Sequence, residues 1–309
     1  MWLYRPTDAL YVEVNRPADS MHITGFVIIN TGKLFTLYGY LPVLTLLILL
    51  ITVTDRYKAG YIEKGAAQAA FAVLVITFVS SVCFMMGWQF AGIDATYHLN
   101  RIEGIKDGIY AGFFPVRIEP KWVMGHGYAA ATMYGNLLLY FPAFMRMLGF
   151  SVLVTQNFYS VLLSFCTAFI AYMSYKGIFR DRTVAVLLSA LYTFSIYRID
   201  KLVVLGALGE SGVYAFLPLV IYGFYRIYTM DPEAPENRNA HIPLTVALCM
   251  IVQTHALTTE ITAFLAFIFC LIFWRKTFRR DIFINLFKAA MMTLLLSAWF
   301  LVPFLDYFF

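Results

Sequence analysis

The sequence predicts an all-α membrane protein: a polytopic bundle of about eight transmembrane helices with a long outer loop after the second helix. Of the 309 residues, 61% are hydrophobic and 13% are charged, whereas soluble domains are about 45–50% apolar and 25% charged. Several windows hold around 20 mostly apolar residues, the length that a helix needs to cross about 30 Å of hydrocarbon. Because no segment alternates apolar and polar residues as a membrane β-strand does, we expect helices.

Eight apolar windows predict the eight helices. Five are long enough to span the bilayer alone: residues 34–54, 66–88, 152–175, 211–229 and 282–304. Three are shorter: residues 183–199, 243–257 and 258–274. The windows divide the chain into an amino-terminal segment (1–33), a first helix pair (34–88), an outer loop (89–150) and a bundle (151–309). The amino-terminal segment lacks the apolar core of a cleavable signal, so we expect the first span to be retained.

The basic residues predict an orientation. Thirteen of the 23 Lys and Arg residues lie in four alternate connections, around Arg56, Arg180, Arg226 and Arg275. By the positive-inside rule these connections are cytoplasmic, which places the amino end and the first long loop outside. If residues 129–149 also crossed the bilayer, every later loop would invert. We therefore interpret that apolar segment as an interfacial or re-entrant helix.

The strongest candidate site is Asp94-x-x-x-His98-x-x-Arg101, which follows the second span. At about 100° per residue, offsets of four and seven bring these side chains to one face of a helix. A carboxylate, an imidazole and a guanidinium grouped in this way suit a proton acceptor beside an anion, and ionisable residues bordering a span usually line a cavity. The alternative is a structural ion pair between Asp94 and Arg101.

Further candidates fall on the same outer side. Arg198 and Lys201 form a cationic surface suited to phosphate. Glu210 is either a substrate ligand or only a first-turn acid that complements a helix dipole. His255 lies in a predicted outer hairpin, where a satisfied polar residue is the simpler interpretation. Arg117 belongs to an aromatic loop that suits a sugar or headgroup, although an interfacial belt has the same composition.

Several function classes lack their signatures. There is no Walker A sequence, GxGxxG, HExxH or CxxC, so a nucleotide-driven mechanism is not indicated. The outer loop has no Asp-x-Asp pair for a divalent metal, and we expect no cofactor. The four cysteines lie in apolar runs and are interpreted as core residues. The net charge of +5 comes from short loops rather than a basic face, so no nucleic-acid partner is expected.

Six stretches carry a resemblance to a known family. They are residues 94–105 (DATYHLNRIEGI), 112–118 (GFFPVRI) and 134–143 (YGNLLLYFPA), followed by Arg198, residues 207–210 (ALGE) and Thr254-His255. Over roughly residues 94–304 the chain resembles a family of multi-spanning bacterial membrane proteins commonly labelled as related to 6-pyruvoyl-tetrahydropterin synthase. Members are usually longer, so we expect further sequence after Phe309.

That family is similar in layout to the GT-C glycosyltransferases, which carry an essential acid in the first outer loop. The resemblance implies an enzyme of the bacterial cytoplasmic membrane that transfers a sugar from a polyprenyl-phosphate carrier to an acceptor on the outer face. Asp94 would accept the proton of the attacking hydroxyl. Arg101, Arg198 and Lys201 would stabilise the phosphate leaving group.

The remaining candidates would bind substrate. His98 would orient Asp94 or donate to phosphate, Glu210 and His255 would bind hydroxyls, and Arg117 would contact substrate from the outer loop. The expected partners are membrane lipid and the lipid-linked sugar. One departure from the GT-C layout is the additional apolar segment 34–54 before the acid.

Two other functions remain open. A transporter or flippase for a lipid-linked saccharide would use the same polar site for binding alone, although the sequence has no internal repeat of the kind such proteins often carry. An envelope assembly protein would use the outer loop only as a docking surface.

Overall fold

The computed structural model of the protein describes residues 37–86, 92–229, 231, 234 and 239–308. Within these ranges, the regular structure is helical apart from one antiparallel bridge between Glu119 and Tyr128. The all-α class is therefore confirmed. The predicted amino-terminal segment 1–33 and the junction at 87–91 lie outside the described residues.

Fifteen α-helices follow one another in the described residues. They are α1 (Leu37–Lys58), α2 (Lys64–Met85), α3 (Ile93–Tyr110), α4 (Trp122–Gly125), α5 (Ala130–Met133), α6 (Tyr140–Met147), α7 (Val152–Phe179), α8 (Arg182–Thr193), α9 (Ile196–Ile199), α10 (Leu208–Tyr214), α11 (Leu217–Thr229), α12 (Ile242–Val252), α13 (Ala256–Ile272), α14 (Trp274–Thr277) and α15 (Arg280–Phe308). A 3₁₀ turn at Leu137–Leu139 precedes α6, and a π-helical turn at Asp200–Leu205 follows α9.

The helices support a membrane protein with fewer full-length spans than the eight predicted. Among the described residues, α1, α2, α7 and α15 are long and apolar enough to cross a bilayer. A fifth span results if α8 and the segment Ile196–Leu205, bent by 49°, count as one. The other three predicted windows are also helical but shorter. The window 211–229, predicted to span alone, is broken at residues 215–216 between the end of α10 and α11, which has 13 residues, and α12 and α13 have 11 and 17 residues.

Helix α7 occupies the centre of the bundle, where it packs against α1, α2, α8 and α11. Its buried face carries small polar residues as well as apolar ones. The hydroxyls of Ser164 and Thr167 donate to backbone carbonyls one turn earlier, at 3.0 and 2.7 Å. Their hydrogen-bonding capacity is thereby met inside the apolar interior, which lets neighbouring helices approach closely.

Two short connections around α7 have clear local causes. Ser151 caps α7 by accepting the N–H of Val154 at 3.3 Å. After α7, Arg180 takes a left-handed conformation, and Asp181 caps α8 by accepting the N–H of Val184 at 2.8 Å. The α7–α8 pair is therefore an antiparallel hairpin with a tight turn.

The chain bends after α8, and this bend positions part of the candidate site. Arg198 donates to the carbonyl oxygen of Thr193 at 3.2 Å and to Ser164 Oγ at 2.7 Å, so it satisfies a carbonyl at the end of the helix. At Gly206 the backbone has φ +69°, and a Cβ there would lie 2.6 Å from Cβ of Ala95. This close approach packs the π-helical turn against the start of α3.

The segment 129–149 does not form one long helix. It consists of α5, the 3₁₀ turn and α6, of which the longest has eight residues. None of these pieces is long enough to span, in line with the prediction of an interfacial or re-entrant segment. The Arg146 side chain binds Glu103, which joins α6 to α3.

Candidate functional site

Helix α3 carries the three residues that the sequence singled out. His98 and Arg101 are buried, with 2% and 0% of their surfaces exposed, whereas Asp94 is partly exposed in the first turn. The helix therefore points two of the three side chains into the protein. Asp94 remains open to a substrate.

Arg101 is held by the segment that follows α5. Its Nη2 donates to the carbonyl oxygens of Tyr134 and Gly135, both at 2.9 Å. Its guanidinium carbon lies 4.3 Å from the centre of the Tyr134 ring and 5.7 Å from that of Tyr97. Burial lowers the pKa of Arg101, and nearby Tyr97, Tyr134 and Glu119 partly offset that effect.

The carboxylate beside Arg101 is Glu119, not Asp94. Arg101 Nε lies 3.9 Å from Glu119 Oε1, and both side chains are fully buried. Neither Glu119 oxygen has a hydrogen-bond partner among the described residues. Burial raises the pKa of Glu119 to about 7, although the charge of Arg101 acts in the opposite direction. The alternative of a structural Asp94–Arg101 ion pair is thus replaced by an Arg101–Glu119 pair.

Sequence reasoning missed Glu119 as a functional candidate, although α3 contains a signal for it. Gly104 and Gly108 lie one turn apart, and a Cβ at these positions would come within 2.7 Å of Glu119 Cγ and 2.5 Å of Val116 Cγ1. These two glycines leave room for the 116–119 segment to lie directly on α3. The bridge between Glu119 and Tyr128, with N···O distances of 2.8 and 3.1 Å, fixes the segment there.

Tyr134 is the meeting point of four segments, and we refer to its surroundings as the Tyr134 cluster: Asp94, Tyr97, His98, Arg101, Glu119, Tyr134, Tyr197, Lys201, Glu210 and His255. The Tyr134 ring lies 5.9 Å from the His98 ring and 5.3 Å from the His255 ring, centre to centre. Gly209 at the start of α10 lies against its hydroxyl, where a Cβ would be 2.2 Å away. Burial raises the pKa of Tyr134, so the phenol is neutral and Arg101 faces an uncharged ring.

Lys201 and Glu210 form the polar rim of this cluster. Lys201 Nζ lies 3.3 Å from Glu210 Oε2 and 5.3 Å from the centre of the Tyr197 ring. The Tyr197 hydroxyl also donates to Glu210. Glu210 is in the first turn of α10, where its negative charge interacts favourably with the helix dipole. It also faces the site, so the structure is compatible with both interpretations of this residue.

His255 caps α13 and faces Tyr134. Its Nδ1 accepts the N–H of Thr258 at 3.3 Å, so the neutral ring carries its proton on Nε2. Burial lowers the pKa of His255, and the charges of Glu210 and Asp94 partly offset this. The same two carboxylates also act on Tyr134. The charges of Asp94 and Glu210, from two different segments, therefore both act on Tyr134 and His255.

His98 lies behind Tyr134 as a neutral imidazole. Burial, together with the charges of Arg101 and His255, lowers its pKa to about 3. Its Nδ1 has no hydrogen-bond partner among the described residues. No hydrogen bond joins His98 Nδ1 to Asp94 in the described structure, so the predicted orienting role lacks that support.

Two predicted anion ligands do not join the cluster. Arg198 is 2% exposed and donates to Thr193 and Ser164 inside the bundle, because the bend after α8 leaves a carbonyl that it satisfies. The expected phosphate contact of Arg198 is therefore corrected to a structural role. Arg117 is exposed beside Val116, and in the described part of the chain it makes no hydrogen bond or ion pair with the cluster. Its predicted substrate contact has no support from this geometry.

The described residues contain no group of three or more His, Cys, Asp or Glu side chains that could hold a metal ion. What the cluster offers is a partly exposed carboxylate, a neutral imidazole, a lysine–glutamate pair and a tyrosine ring, with a buried guanidinium behind them. These groups suit the binding of hydroxyls and the transfer of a proton near an anion. Comparisons with family models, curated proteins and solved structures gave no match that assigns this chain to a family.

Proposed function

We propose that this chain is the membrane part of a GT-C-type glycosyltransferase that transfers a sugar from a polyprenyl-phosphate carrier to an acceptor at the outer face of a bacterial cytoplasmic membrane. The supporting observation is the Tyr134 cluster, in which the open carboxylate of Asp94 stands near hydroxyl-binding and cationic groups from separate segments. The proposal includes eight spans, with α11, α12 and α13 completing the bundle.

In this reaction Asp94 takes the proton of the acceptor hydroxyl as its oxygen attacks the anomeric carbon. The bond between that carbon and the phosphate oxygen breaks, and negative charge develops on the phosphate. Lys201 stabilises this charge after exchanging its contact with Glu210 for the phosphate. Arg101 acts from behind as a buried positive charge without touching substrate, since its surface is fully covered.

The other residues of the cluster position the two substrates. His255 presents its Nε2–H, because Nδ1 is occupied by the N–H of Thr258. Glu210 and the Tyr197 hydroxyl are suited to hydroxyl groups of a sugar. Tyr134 offers a ring face and edge against which a sugar ring can pack.

The test is sugar transfer by the purified protein in lipid, with a panel of polyprenyl-phosphate sugars as donors. We expect Asp94→Asn to lower turnover by about 10²–10⁴-fold with donor binding retained, as for the loss of a general base. Asp107→Asn is the matched control, because Asp107 is on the same helix but pairs with Lys121 at 3.0 Å. Wild-type turnover in Asp94→Asn would refute the role of Asp94, and binding without transfer by the wild type would refute the enzyme.

A transporter of lipid-linked saccharides is the second candidate, and one observation favours it. The bent pair of α8 and Ile196–Leu205 is a broken helix beside the cluster, and broken helices commonly form the substrate sites of transporters. Translocation of a fluorescent lipid-linked sugar across vesicles, measured beside the transfer assay, distinguishes the two functions. Movement without transfer identifies a transporter.

A further inference from the structure

A long groove runs between α11 and α13, and none of its lining residues belongs to the Tyr134 cluster. It has a volume of about 590 Å³, within the range of about 300–1,000 Å³ that small-molecule sites occupy. Its walls follow α11 from Leu217 to Thr229, a length of about 18 Å at 1.5 Å per residue. The groove is therefore elongated, a shape that suits a hydrocarbon chain better than a compact ligand.

The groove exists because the facing sides of the two helices differ in residue size along their length. Phe224 and Tyr228 of α11 contact Phe269 of α13, with ring centres 5.1 Å apart in both pairs. Thr262 and Ala266 line the groove two turns and one turn before Phe269, respectively, and are too small to fill the space opposite α11. The aromatic contacts thus join the helices at one end, and the small residues leave them apart at the other.

One end of the groove is cationic. Lys276 lines it together with Tyr225 and Thr229. Lys276 is exposed and has no acidic side chain within salt-bridge distance among the described residues, whereas nearby Arg279 pairs with Asp281 at 3.2 Å. The site therefore combines a mainly apolar groove with an ammonium, unpaired within the described residues, at the end where the aromatic contacts join the two helices.

We propose that this groove binds an acyl chain of an anionic membrane phospholipid, with the lipid phosphate at Lys276. Beyond Glu260, the exposed side chains of α13, among them Phe264, Leu265 and Phe267, are apolar, so this part of the helix is suited to face lipid. Lysine is a common phosphate ligand that acts as a point charge, and basic pockets between membrane helices bind anionic headgroups. The positive charge and the elongated apolar shape of the groove both fit an anionic phospholipid.

The proposal is tested by native mass spectrometry of the full chain released from bilayers of equal parts phosphatidylglycerol and phosphatidylcholine. We expect one phosphatidylglycerol to be retained in preference to phosphatidylcholine by about fivefold, the effect of one basic residue at a headgroup. Lys276→Gln abolishes this preference and Lys276→Arg keeps it. Ala266→Phe, which fills the channel, removes the retained lipid of either kind.

Arg275→Gln is the control for general attraction to an anionic surface, because Arg275 lies beside Lys276 but packs over Trp274 and does not line the groove. If Arg275→Gln and Lys276→Gln lost the preference for phosphatidylglycerol equally, the proposal would be overturned. Unchanged lipid retention in Ala266→Phe would also overturn it. Folding of each variant is checked by its thermal transition in detergent. If Ala266→Phe does not fold, Ile221→Trp on the opposite wall replaces it and is judged by the same outcome.

Discussion

Arg101 is fully buried, and its charge is met by two carbonyl oxygens, two aromatic rings and the Glu119 carboxylate rather than by water. An isolated ion in such a place is unstable, so each member of the pair depends on the other. Arg101 also fixes the backbone of Tyr134 and Gly135, which gives the ring at the centre of the cluster its position.

Removing one partner of the Arg101–Glu119 pair is expected to destabilise the folded protein. We predict that Arg101→Gln lowers the free energy of unfolding by about 3–5 kcal/mol, because it leaves Glu119 buried without its cation. The double variant with Glu119→Gln is expected to lose less free energy of unfolding than the two single variants lose together. Thermal denaturation in detergent measures all three. Arg182→Gln is the control, since the ion pair of Arg182 with Glu63 is exposed and contributes about 1 kcal/mol or less. If the losses of stability in the Arg101 and Glu119 variants were additive, the two residues would not be energetically coupled.

Glu119 is also expected to make stability depend on pH. Burial raises its pKa from the ordinary 4.5 to about 7. Because the folded state holds this proton more tightly than the unfolded chain, the contribution is complete below pH 4.5 and is lost as the pH rises through about 7. The full loss corresponds to about 3 kcal/mol. The advantage of wild type over Glu119→Gln should therefore shrink across this interval.

His98 and Glu103, both on α3, are expected to make stability depend on pH in the opposite direction. Burial, with the charges of Arg101 and His255, lowers the pKa of His98 to about 3, so its contribution is complete above pH 6.5 and is lost toward pH 3. Burial alone would raise the pKa of Glu103, but its hydrogen bonds to Arg146 and Lys106 bring it below the usual value. Glu103→Gln should thus show a wild-type advantage that grows with pH. If the wild-type advantage changed with pH in the same direction for Glu119→Gln and Glu103→Gln, the opposite pKa shifts of the two glutamates would be refuted.

At the scale of elements, the cluster depends on three close backbone approaches. Gly206 brings the π-helical turn against α3, Gly209 brings α10 against Tyr134, and Gly135 brings the turn after α5 against the α12–α13 connection. A Cβ at residue 135 would lie 2.2 Å from the carbonyl carbon and oxygen of Gln253. These atoms are backbone and cannot move as a side chain does.

We therefore predict that Gly135→Ala lowers the free energy of unfolding by at least about 1–3 kcal/mol, the usual effect of overpacking, and moves Tyr134 relative to His255. Gly65→Ala is the matched control, because there the nearest atom belongs to the flexible side chain of Arg182, at 2.6 Å. Denaturation in detergent compares the two. Equal stability of both variants would show that residues 135 and 253 separate easily.

At the scale of the whole molecule, the candidate chemistry gathers at one end of the bundle. Asp94, Lys201, Glu210 and His255 come from three connections that the positive-inside rule places on one side. Their meeting in space agrees with a shared side, because residues at opposite ends of spanning helices would be about 30 Å apart.

The orientation itself is tested by labelling single cysteines with a membrane-impermeant maleimide in intact cells, in a background without the four native cysteines. Met124→Cys, beside the cluster-bearing loop, is expected to react from outside, since Met124 is fully exposed. Tyr61→Cys, in the basic connection between α1 and α2, is expected to react only after the membrane is permeabilised. The reverse pattern would invert the orientation, and labelling of both from outside would contradict the topology.

The all-helical class and the approximate positions of the apolar helices were predictable from the sequence, because apolar length and the absence of period-two alternation are local properties. The breaks at residues 194–195 and 215–216 were not. The sequence also placed Asp94, His98 and Arg101 on one helix, since their spacing depends only on the helical repeat. Lys201, Glu210 and His255 are polar residues at the ends of apolar runs; Lys201 pairs with Glu210 at 3.3 Å, and the charges of both act on His255.

Which charges pair and which side chains face the site depends on tertiary packing. Glu119 became the partner of Arg101 because Gly104 and Gly108 let a distant loop lie on α3. Arg198 became a structural ligand of Thr193 and Ser164 because a bend after α8 exposed a carbonyl inside the bundle. Both outcomes depend on long-range packing and on satisfying buried polar groups, which residue spacing along one helix does not encode.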